Sequence, residues 1–338
     1  MRILHLLSSP VWSGPAEAMA LLAEAQRGAG HSVSVAIDST RRGTGSEEPA
    51  GPPLRAMGLP AADGLRLSTH DGPLGLWHDI REISRRAVDV VHAHFSHDHW
   101  VARLGRPHGA VVVRSVHAPR SLRGLVPRAD AFTVPTPDLG APLGKPWRVL
   151  PPLVPPAFRP AQDRTGLQAA LGLTPPVVGM ASTFQASRRH DLALAAFVEL
   201  RRRVPTASLV LLGDGELRAA VSEAARGLGI AGSVRFPGYQ RQADFICWMQ
   251  AFDELWVLGL GNDWAGRVAA QGRAVGARVV AVNQGALPGL ADVVLASEDP
   301  ASLAAVALQR ERRERTLPDA GEVAREILAL YREAGARG

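Results

Sequence analysis

Short apolar runs alternate along this chain with longer stretches of helical composition. Arg2-Ile-Leu-His-Leu-Leu7 has the pattern of a short buried strand. A Ser/Pro/Gly loop at 8–15 follows it, and Ala16 to Ala29 is rich in helix formers. Gly30 closes that helix, and His31 to Ile37 alternates polar and apolar residues as a second strand would. Residues 41–76, rich in Gly, Pro and Ser, read as irregular surface loop. A helix around 77–87 then leads to the strand Val88-Asp-Val-Val91 and a histidine-rich turn. A further helix at 98–104 precedes Ala110-Val-Val-Val113, and Asp130-Ala-Phe-Thr-Val134 gives another strand. Strands alternating with helices predict a parallel sheet covered on both faces.

Arg148 to Pro160 holds five prolines in thirteen residues, which suits neither a helix interior nor a central strand, so 148–160 is the expected linker. The alternation restarts beyond it. Strands are expected at 177–180, 207–212, 233–236, 254–258 and 278–282, with helices at 190–203, 216–227, 243–251 and 265–275 between them. The fold expected is α/β, with two doubly wound Rossmann-like domains at 1–147 and 161–318 and a cleft between them. Residues 319–338 close the chain with an amphipathic helix that spaces Val323, Ile327, Leu330 and Tyr331 along one face.

Composition narrows the function classes. The chain has 338 residues, 46% of them hydrophobic and 21% charged, which excludes wholesale disorder and fibrous repeats. No window has the ~18 consecutive apolar residues of a membrane span, so a cytoplasmic location is expected. Cys247 is the only cysteine, which rules out an intrachain disulfide and a cysteine-based zinc cluster; a buried thiol in a core helix is its expected role. The net charge of +6 rides on arginine, Lys145 being the sole lysine. It is spread over both halves without the dense field of a nucleic-acid binder, and no nucleic-acid partner is expected. One stretch differs: Arg103, Arg106, Arg114, Arg120, Arg123 and Arg128 lie between Asp98 and Asp130 with no acid among them. They form either a solvated face or a patch that faces a phosphorylated acceptor or makes peripheral contact with anionic membrane at the inner face of the cell membrane.

In open parallel sheets ligands bind beyond the carboxyl ends of the strands, which directs the search to those loops. Ser13-Gly14-Pro-Ala-Glu17 opens a helix whose free N–H groups and dipole favour an anion such as a diphosphate, although a plain tight turn has the same sequence. The second and third glycines of a dinucleotide fingerprint are missing, which argues against a nicotinamide-dependent enzyme. Asp89-Val-Val-His92-Ala-His94-Phe-Ser-His97-Asp-His99 gathers four of the chain's 11 histidines just past a strand. Their spacing lacks the helical His-x-x-x-His arrangement of a zinc site, and neutral imidazoles suit contacts to a substrate hydroxyl. Gly213-Asp-Gly215 and Val234-Arg-Phe-Pro-Gly238-Tyr239 are sharp turns after strands, where a ligand could come close to backbone.

Several of these pieces stand in the order of a known family: Ser13-Gly14-Pro-Ala-Glu17, Gly30-His31, Asp89-Val-Val-His-Ala-His94, Val149-Leu-Pro, Phe158-Arg-Pro160, His190-Asp191-Leu192, Gly213-Asp-Gly215, Val234-Arg-Phe-Pro-Gly238 and Gly276-Ala-Arg-Val-Val-Ala281. The chain resembles the family-4 retaining glycosyltransferases of the GT-B fold over nearly its whole length. That resemblance implies a nucleotide-sugar donor held by the second domain, a glycan or lipid-linked acceptor held by the first, and a terminal helix crossing back. It implies no cofactor beyond the nucleotide-sugar co-substrate, no metal, and a role in bacterial surface polysaccharide synthesis. His94 and His97 match family histidines that contact donor sugar or acceptor. The family's two phosphate-gripping cations fall near Thr183 and Arg188, so one is retained, and Arg189 or Arg267 could stand in for the other. The family's donor motif Glu-x-Phe-Gly-x-x-x-x-Glu is matched by Asp263-Trp-Ala-Gly266-Arg-Val-Ala-Ala-Gln271, with both glutamates changed. By this match Asp263 contacts the transferred sugar and Gln271 the ribose. Asp263 as a helix cap and Gln271 as an ordinary helix residue are the alternatives at those positions, and a family member without transfer activity, serving as a binding or partner subunit, is the alternative for the whole chain.

Overall fold

The computed structural model describes residues 1–41, 48–123, 127–261, 263–309, 313–314 and 316–337. The chain forms two compact units, Met1–Leu153 with Pro318–Gly338, and Val154–Leu317.

The first unit runs β1 (Arg2–Leu7), α1 (Gly14–Gly28), β2 (Ser32–Ile37), α2 (Gly51–Ala56), α3 (Gly72–Ser84), β3 (Val90–Ala93), α4 (Ser96–Leu104), β4 (Val111–Ser115), β5 (Ala131–Val134), α5 (Pro137–Gly140) and β6 (Trp147–Val149). Its six strands are parallel, in the order β2-β1-β3-β4-β5-β6. Successive strand residues point to opposite faces and both faces are covered, which is why the strands are almost continuously apolar. Ile3, Leu7, Val90 and Val113 pack with Met19 and Leu22 of α1. Leu4, Leu6, Val91 and Val112 pack on the other side with Ile83 and Val101.

Of the expected loop 41–76, residues 42–47 lie outside the described residues, and the rest is more ordered than its composition predicts. Its described part holds α2 and the start of α3, and it buries Leu54, Leu59, Leu65 and Leu67. Its prolines open helices rather than break them: both α2 and α3 carry proline in the first turn, where the missing N–H has no intrahelical partner to lose. The start of the expected linker is also strand, since β6 runs to Val149.

The second unit contains α6 (Arg164–Ala170), β7 (Val177–Ala181), α7 (His190–Arg203), β8 (Ser208–Leu212), α8 (Arg218–Gly227), β9 (Val234–Gly238), α9 (Gln242–Gln250), β10 (Glu254–Val257), α10 (Arg267–Ala274), β11 (Arg278–Ala281), α11 (Leu287–Leu290), β12 (Val293–Val294) and α12 (Pro300–Val306). Its parallel order is β12-β11-β10-β7-β8-β9. Phe184, Phe197, Phe252 and Trp256 are the largest side chains in its core. Cys247 is not one of them: it sits half-buried on α9, on a face the unit only partly covers.

The last helix, α13 (Ala320–Glu333), belongs to the first unit and packs against α1. Val323, Ile327, Leu330 and Tyr331 are all buried there. In both sheets the chain reverses its direction of growth beside the first strand, between β1 and β3 in one unit and between β7 and β10 in the other. At such a switch point the loops leave in opposite directions and open a crevice at the carboxyl ends of the strands.

Candidate functional site

In the first unit the switch point is lined with imidazoles. His92 lies in β3 and pairs in register with His5 of β1, and His94 follows directly after β3. His117 follows β4. Ring centroids are 4.6 Å apart for His92 and His94, 5.0 Å for His5 and His92, and 5.9 Å for His94 and His117. Burial keeps the group neutral, pushing His5 and His117 down to about 4 and His92 and His94 well below the usual histidine range. His94 Nδ1 is buried and has no hydrogen-bond partner.

Asp98 fixes the neighbouring loops. One of its oxygens accepts from Ser8 N at 2.7 Å and the other from Phe95 N at 2.8 Å, which ties the end of β1 to the start of α4. His97 then falls in the first turn of α4, half-buried, with Nε2 lacking a partner. Gly14 starts α1, but the anion site expected there is thin: Pro15 has no N–H, and Glu17 already places a buried carboxylate in the first turn.

Arg114 is a correction to the arginine-rich segment. It is 1% exposed and donates to Phe95 O, Ser96 Oγ and Ser121 O, and burial brings its pKa down to about 10. It braces the histidine loop from within the unit instead of joining a surface field. Arg106 is also engaged, with Asp130 and the Ala110 carbonyl. Sequence reasoning missed His5, His117, Gln26 and Tyr331 as part of this site. The available signal was His5, a polar residue inside an apolar strand, because such a group needs a buried partner.

His5, His92 and His94 bring three nitrogens within 4.8 Å of one another, the sole such group of possible metal ligands among the described residues. His5 Nδ1 and His94 Nε2 already hydrogen-bond each other at 3.0 Å, so holding an ion would require giving up that bond.

In the second unit the loops after β7, β8, β9 and β10 converge. Gly213 has φ +134°, and a Cβ there would stand 2.0 Å from Ser182 O; Gly213 N also donates to Gly238 O at 3.0 Å. The glycine is therefore needed for the contact between these loops. Phe184 N donates to Asp214 O at 2.9 Å, and Leu260 N to Ser187 O at 2.9 Å. Arg188 lies along Gly259, whose absent Cβ would fall 3.1 Å from Nη1. Thr183 is exposed on the same loop, and Tyr239 is half-buried just past β9. His190 stacks on Phe184 at 4.1 Å and opens α7, its pKa pushed down to about 4 by burial. Arg189, the alternative second cation, pairs with Glu298.

Gly266 adopts φ +70° at the start of α10, and a Cβ there would meet Leu290 at 2.6 Å. Asp263 Oδ1 accepts from Gly266 N at 3.0 Å and from Arg267 N at 3.3 Å, which ties down the turn into α10 although Gly266 itself is the N-cap residue. Gln271, one turn further on, is fully buried, so the ribose contact expected of it requires its surroundings to move. A cavity of about 620 Å³ lined by Arg273, Gly276, Ala277, Asp292 and Glu314 lies at the start of β11, the opposite end of the strands from these loops.

Two family models match the chain: Glycosyltransferase Family 4 over residues 12–156, and Glycosyl transferases group 1 over residues 175–310. No curated protein matches it by sequence. Among solved structures, HepE of Anabaena in complex with UDP and glucose is 15% identical with a TM-score of 0.72, covering 98% of each chain. A glycosyltransferase from Rickettsia africae is 14% identical with a TM-score of 0.71, covering 99% of this chain and 94% of its own. Sucrose-phosphate synthase from Thermosynechococcus elongatus is 17% identical with a TM-score of 0.69, covering 99% and 96%. Two parallel Rossmann-like units, each matched by its own glycosyltransferase model, show that the chain belongs to the GT-B glycosyltransferases, with a family 4 first domain and a group 1 second domain.

Proposed function

We propose that this glycosyltransferase uses a nucleotide-sugar donor and transfers its sugar, with retained configuration, to a hydroxyl of a glycan or lipid-linked acceptor in bacterial surface polysaccharide synthesis. The observation that carries the donor assignment is the position of Arg188, a cation laid across Gly259 where the loops after β7 and β10 meet at the switch point. A diphosphate matches that place, and HepE supports a nucleotide sugar because it was solved with UDP-glucose. In the reaction the acceptor oxygen bonds to the anomeric carbon, and the bond from that carbon to the phosphate oxygen breaks. The electron pair leaves with the nucleoside diphosphate, and the hydroxyl proton passes to a phosphate oxygen. Arg188 would stabilise the charge that develops there, with Thr183 and Tyr239 on adjoining loops. His94 and His97 would position a sugar hydroxyl by hydrogen bonding in the first unit.

Arg188→Ala tests this reading. It should weaken nucleoside diphosphate binding by ~1.5–3 kcal/mol and leave nucleoside binding nearly unchanged, because only the phosphate bond is charge-assisted. Calorimetry showing equal loss for both ligands would overturn the assignment.

A second reading has its own support. Asp263 Oδ1 is taken by the backbone of the turn before α10 and Gln271 is buried, which is what a member serving as a binding or partner subunit would tolerate. A panel of nucleotide sugars, assayed for transfer and hydrolysis, separates the two.

Peripheral membrane contact also belongs to this proposal, relocated from the arginine segment to α3 and α4. Leu74, Trp77, Trp100 and Leu104 are exposed on these two packed helices, with Arg81 over the Trp77 ring at 5.3 Å and Arg103 on α4. Exposed tryptophan and leucine flanked by arginine suit the interface of an anionic bilayer.

A further inference from the structure

Seven side chains of the first unit, each no more than 1% exposed, form an unbroken hydrogen-bonded chain. It begins at His94, whose Nε2 lies 3.0 Å from His5 Nδ1, and His5 Nε2 lies 2.9 Å from Gln26 Oε1. Gln26 Nε2 donates to Tyr331 Oη at 3.0 Å, and Tyr331 Oη lies 2.7 Å from His92 Nδ1. His92 Nε2 continues to Ser115 Oγ at 2.9 Å, and Ser115 Oγ to Thr133 Oγ1 at 2.7 Å.

Most links in such a chain can run in either direction, since a neutral imidazole or a hydroxyl both donates and accepts. Gln26 sets the direction, because its amide offers an acceptor on one arm and donors on the other. With Oε1 toward His5, His5 must donate from Nε2 and therefore accepts at Nδ1. His94 must then carry its proton on Nε2, which leaves its Nδ1 bare. On the other arm Tyr331 receives the amide N–H, so its own proton goes to His92 Nδ1. His92 donates in turn from Nε2 to Ser115. All three rings share one tautomer, and the nitrogen left without a partner is the lone-pair-bearing Nδ1 of His94.

We propose that Gln26 of α1 and Tyr331 of the terminal helix are positioning residues that hold His94 in the Nε2–H tautomer, so that its Nδ1 accepts a hydrogen bond from a hydroxyl of the bound sugar. The hydroxyl partner rests on the functional reading above; the tautomer rests on the chain alone. Turning the Gln26 amide over would reverse every link between it and His94, converting His94 Nδ1 from acceptor to donor. That reversal cannot stop at Gln26: the Tyr331 proton would have to turn from His92 Nδ1 to the amide oxygen, and His92 would have to donate from Nδ1 and accept from Ser115 at Nε2. Tyr331 thus ties the tautomer of His94 to that of His92, and the terminal helix couples to the hydrogen-bonding character of a side chain at the carboxyl end of β3. A metal ion on His5, His92 and His94 would demand the opposite, bare nitrogens turned inward in place of the His5–His94 bond.

The test is two-bond proton–nitrogen correlation NMR at neutral pH on the full chain labelled with 15N-histidine. Wild type should show His5, His92 and His94 as neutral Nε2–H tautomers. Tyr331→Phe removes both the acceptor for Gln26 and the donor to His92, and it should move His94 toward Nδ1–H. Gln26→Glu keeps an acceptor toward His5 and should leave His94 in the wild-type tautomer, whereas Gln26→Leu should not. In turnover, Tyr331→Phe should lower kcat roughly 5- to 10-fold with the nucleotide-sugar KM little changed, the size expected for loss of one oriented hydrogen bond. An Nδ1–H or doubly protonated His94 in wild type overturns the proposal, as does a stoichiometric metal ion in the purified protein. So does a His94 tautomer identical in wild type, Tyr331→Phe and Gln26→Leu. If Tyr331→Phe does not fold, the wild-type spectrum and the Gln26 pair still decide. A protein with the stated tautomers that transfers no sugar refutes the functional reading and leaves the positioning role standing.

Discussion

Burial of neutral imidazoles makes the first unit acid-sensitive. His5 and His117 are pushed from 6.5 down to about 4 by burial, so below pH 6.5 the unfolded chain takes up protons that the folded one refuses. Stability from these groups is complete above pH 6.5 and is lost as pH falls toward 4, by about 2 kcal/mol for each at pH 5. Tm measured from pH 7 to pH 5 should fall accordingly, and a flat profile would show that the rings are not held neutral. Asp263 permits a sharper experiment at single-residue scale. An asparagine side-chain oxygen can accept the same two backbone N–H bonds, so Asp263→Asn should leave Tm nearly unchanged, while a sugar contact through Oδ2 would make turnover drop ~10-fold or more. Unchanged turnover would reduce Asp263 to its observed role in the turn before α10. The sequence alternative made Asp263 the cap itself, but Gly266 takes that position because the chain turns through a left-handed residue there. The full burial of Gln271 was not, because helical phase is set by which neighbours cover α10.

Helix boundaries across the chain follow local chemistry closely. The helix expected at 190–203 is α7 to the residue. Others shift by a few positions: the one expected at 77–87 runs Gly72–Ser84, since Pro73 supplies a first turn that composition alone disguised as loop. The same helix and α4 carry the exposed Leu74, Trp77, Trp100 and Leu104, whose exposure no periodicity predicted, because an apolar helix stripe ordinarily faces a core. Trp77→Ser with Leu104→Ser should reduce sedimentation with anionic liposomes severalfold and leave Tm within about 1 °C, given how exposed both residues are. Arg123→Gln should matter much less, as expected of an exposed charge outside the two helices. Equal binding by wild type and the double variant would remove the membrane contact from these helices.

At the scale of the whole molecule, the last helix returns to the unit in which the chain began. Deleting 318–338 would strip Val323, Ile327, Leu328, Leu330 and Tyr331 from the first unit's core. At ~1.5–3 kcal/mol for each large buried side chain, that loss rivals the ~5–15 kcal/mol stability of a typical domain. Calorimetry on the truncated chain should therefore show the second unit still melting cooperatively and the first unit already unfolded at 25 °C. Retention of both transitions would mean that α13 is dispensable.

By itself the sequence determined the two α/β halves, because apolar runs of strand length separated by helical stretches admit little besides parallel sheets covered on both faces. It also determined where to look for chemistry, since loops after strands are legible as Gly, His and Asp clusters. Only the tertiary structure decided which of these residues act together. Register brought His5 beside His92 across 87 positions of chain, and the packing of α13 added Tyr331 from the far end. Burial sorted Arg114 from its exposed neighbours. Each of these depends on contacts between distant segments, and hydrophobic periodicity, a local property, carries no record of which segments meet.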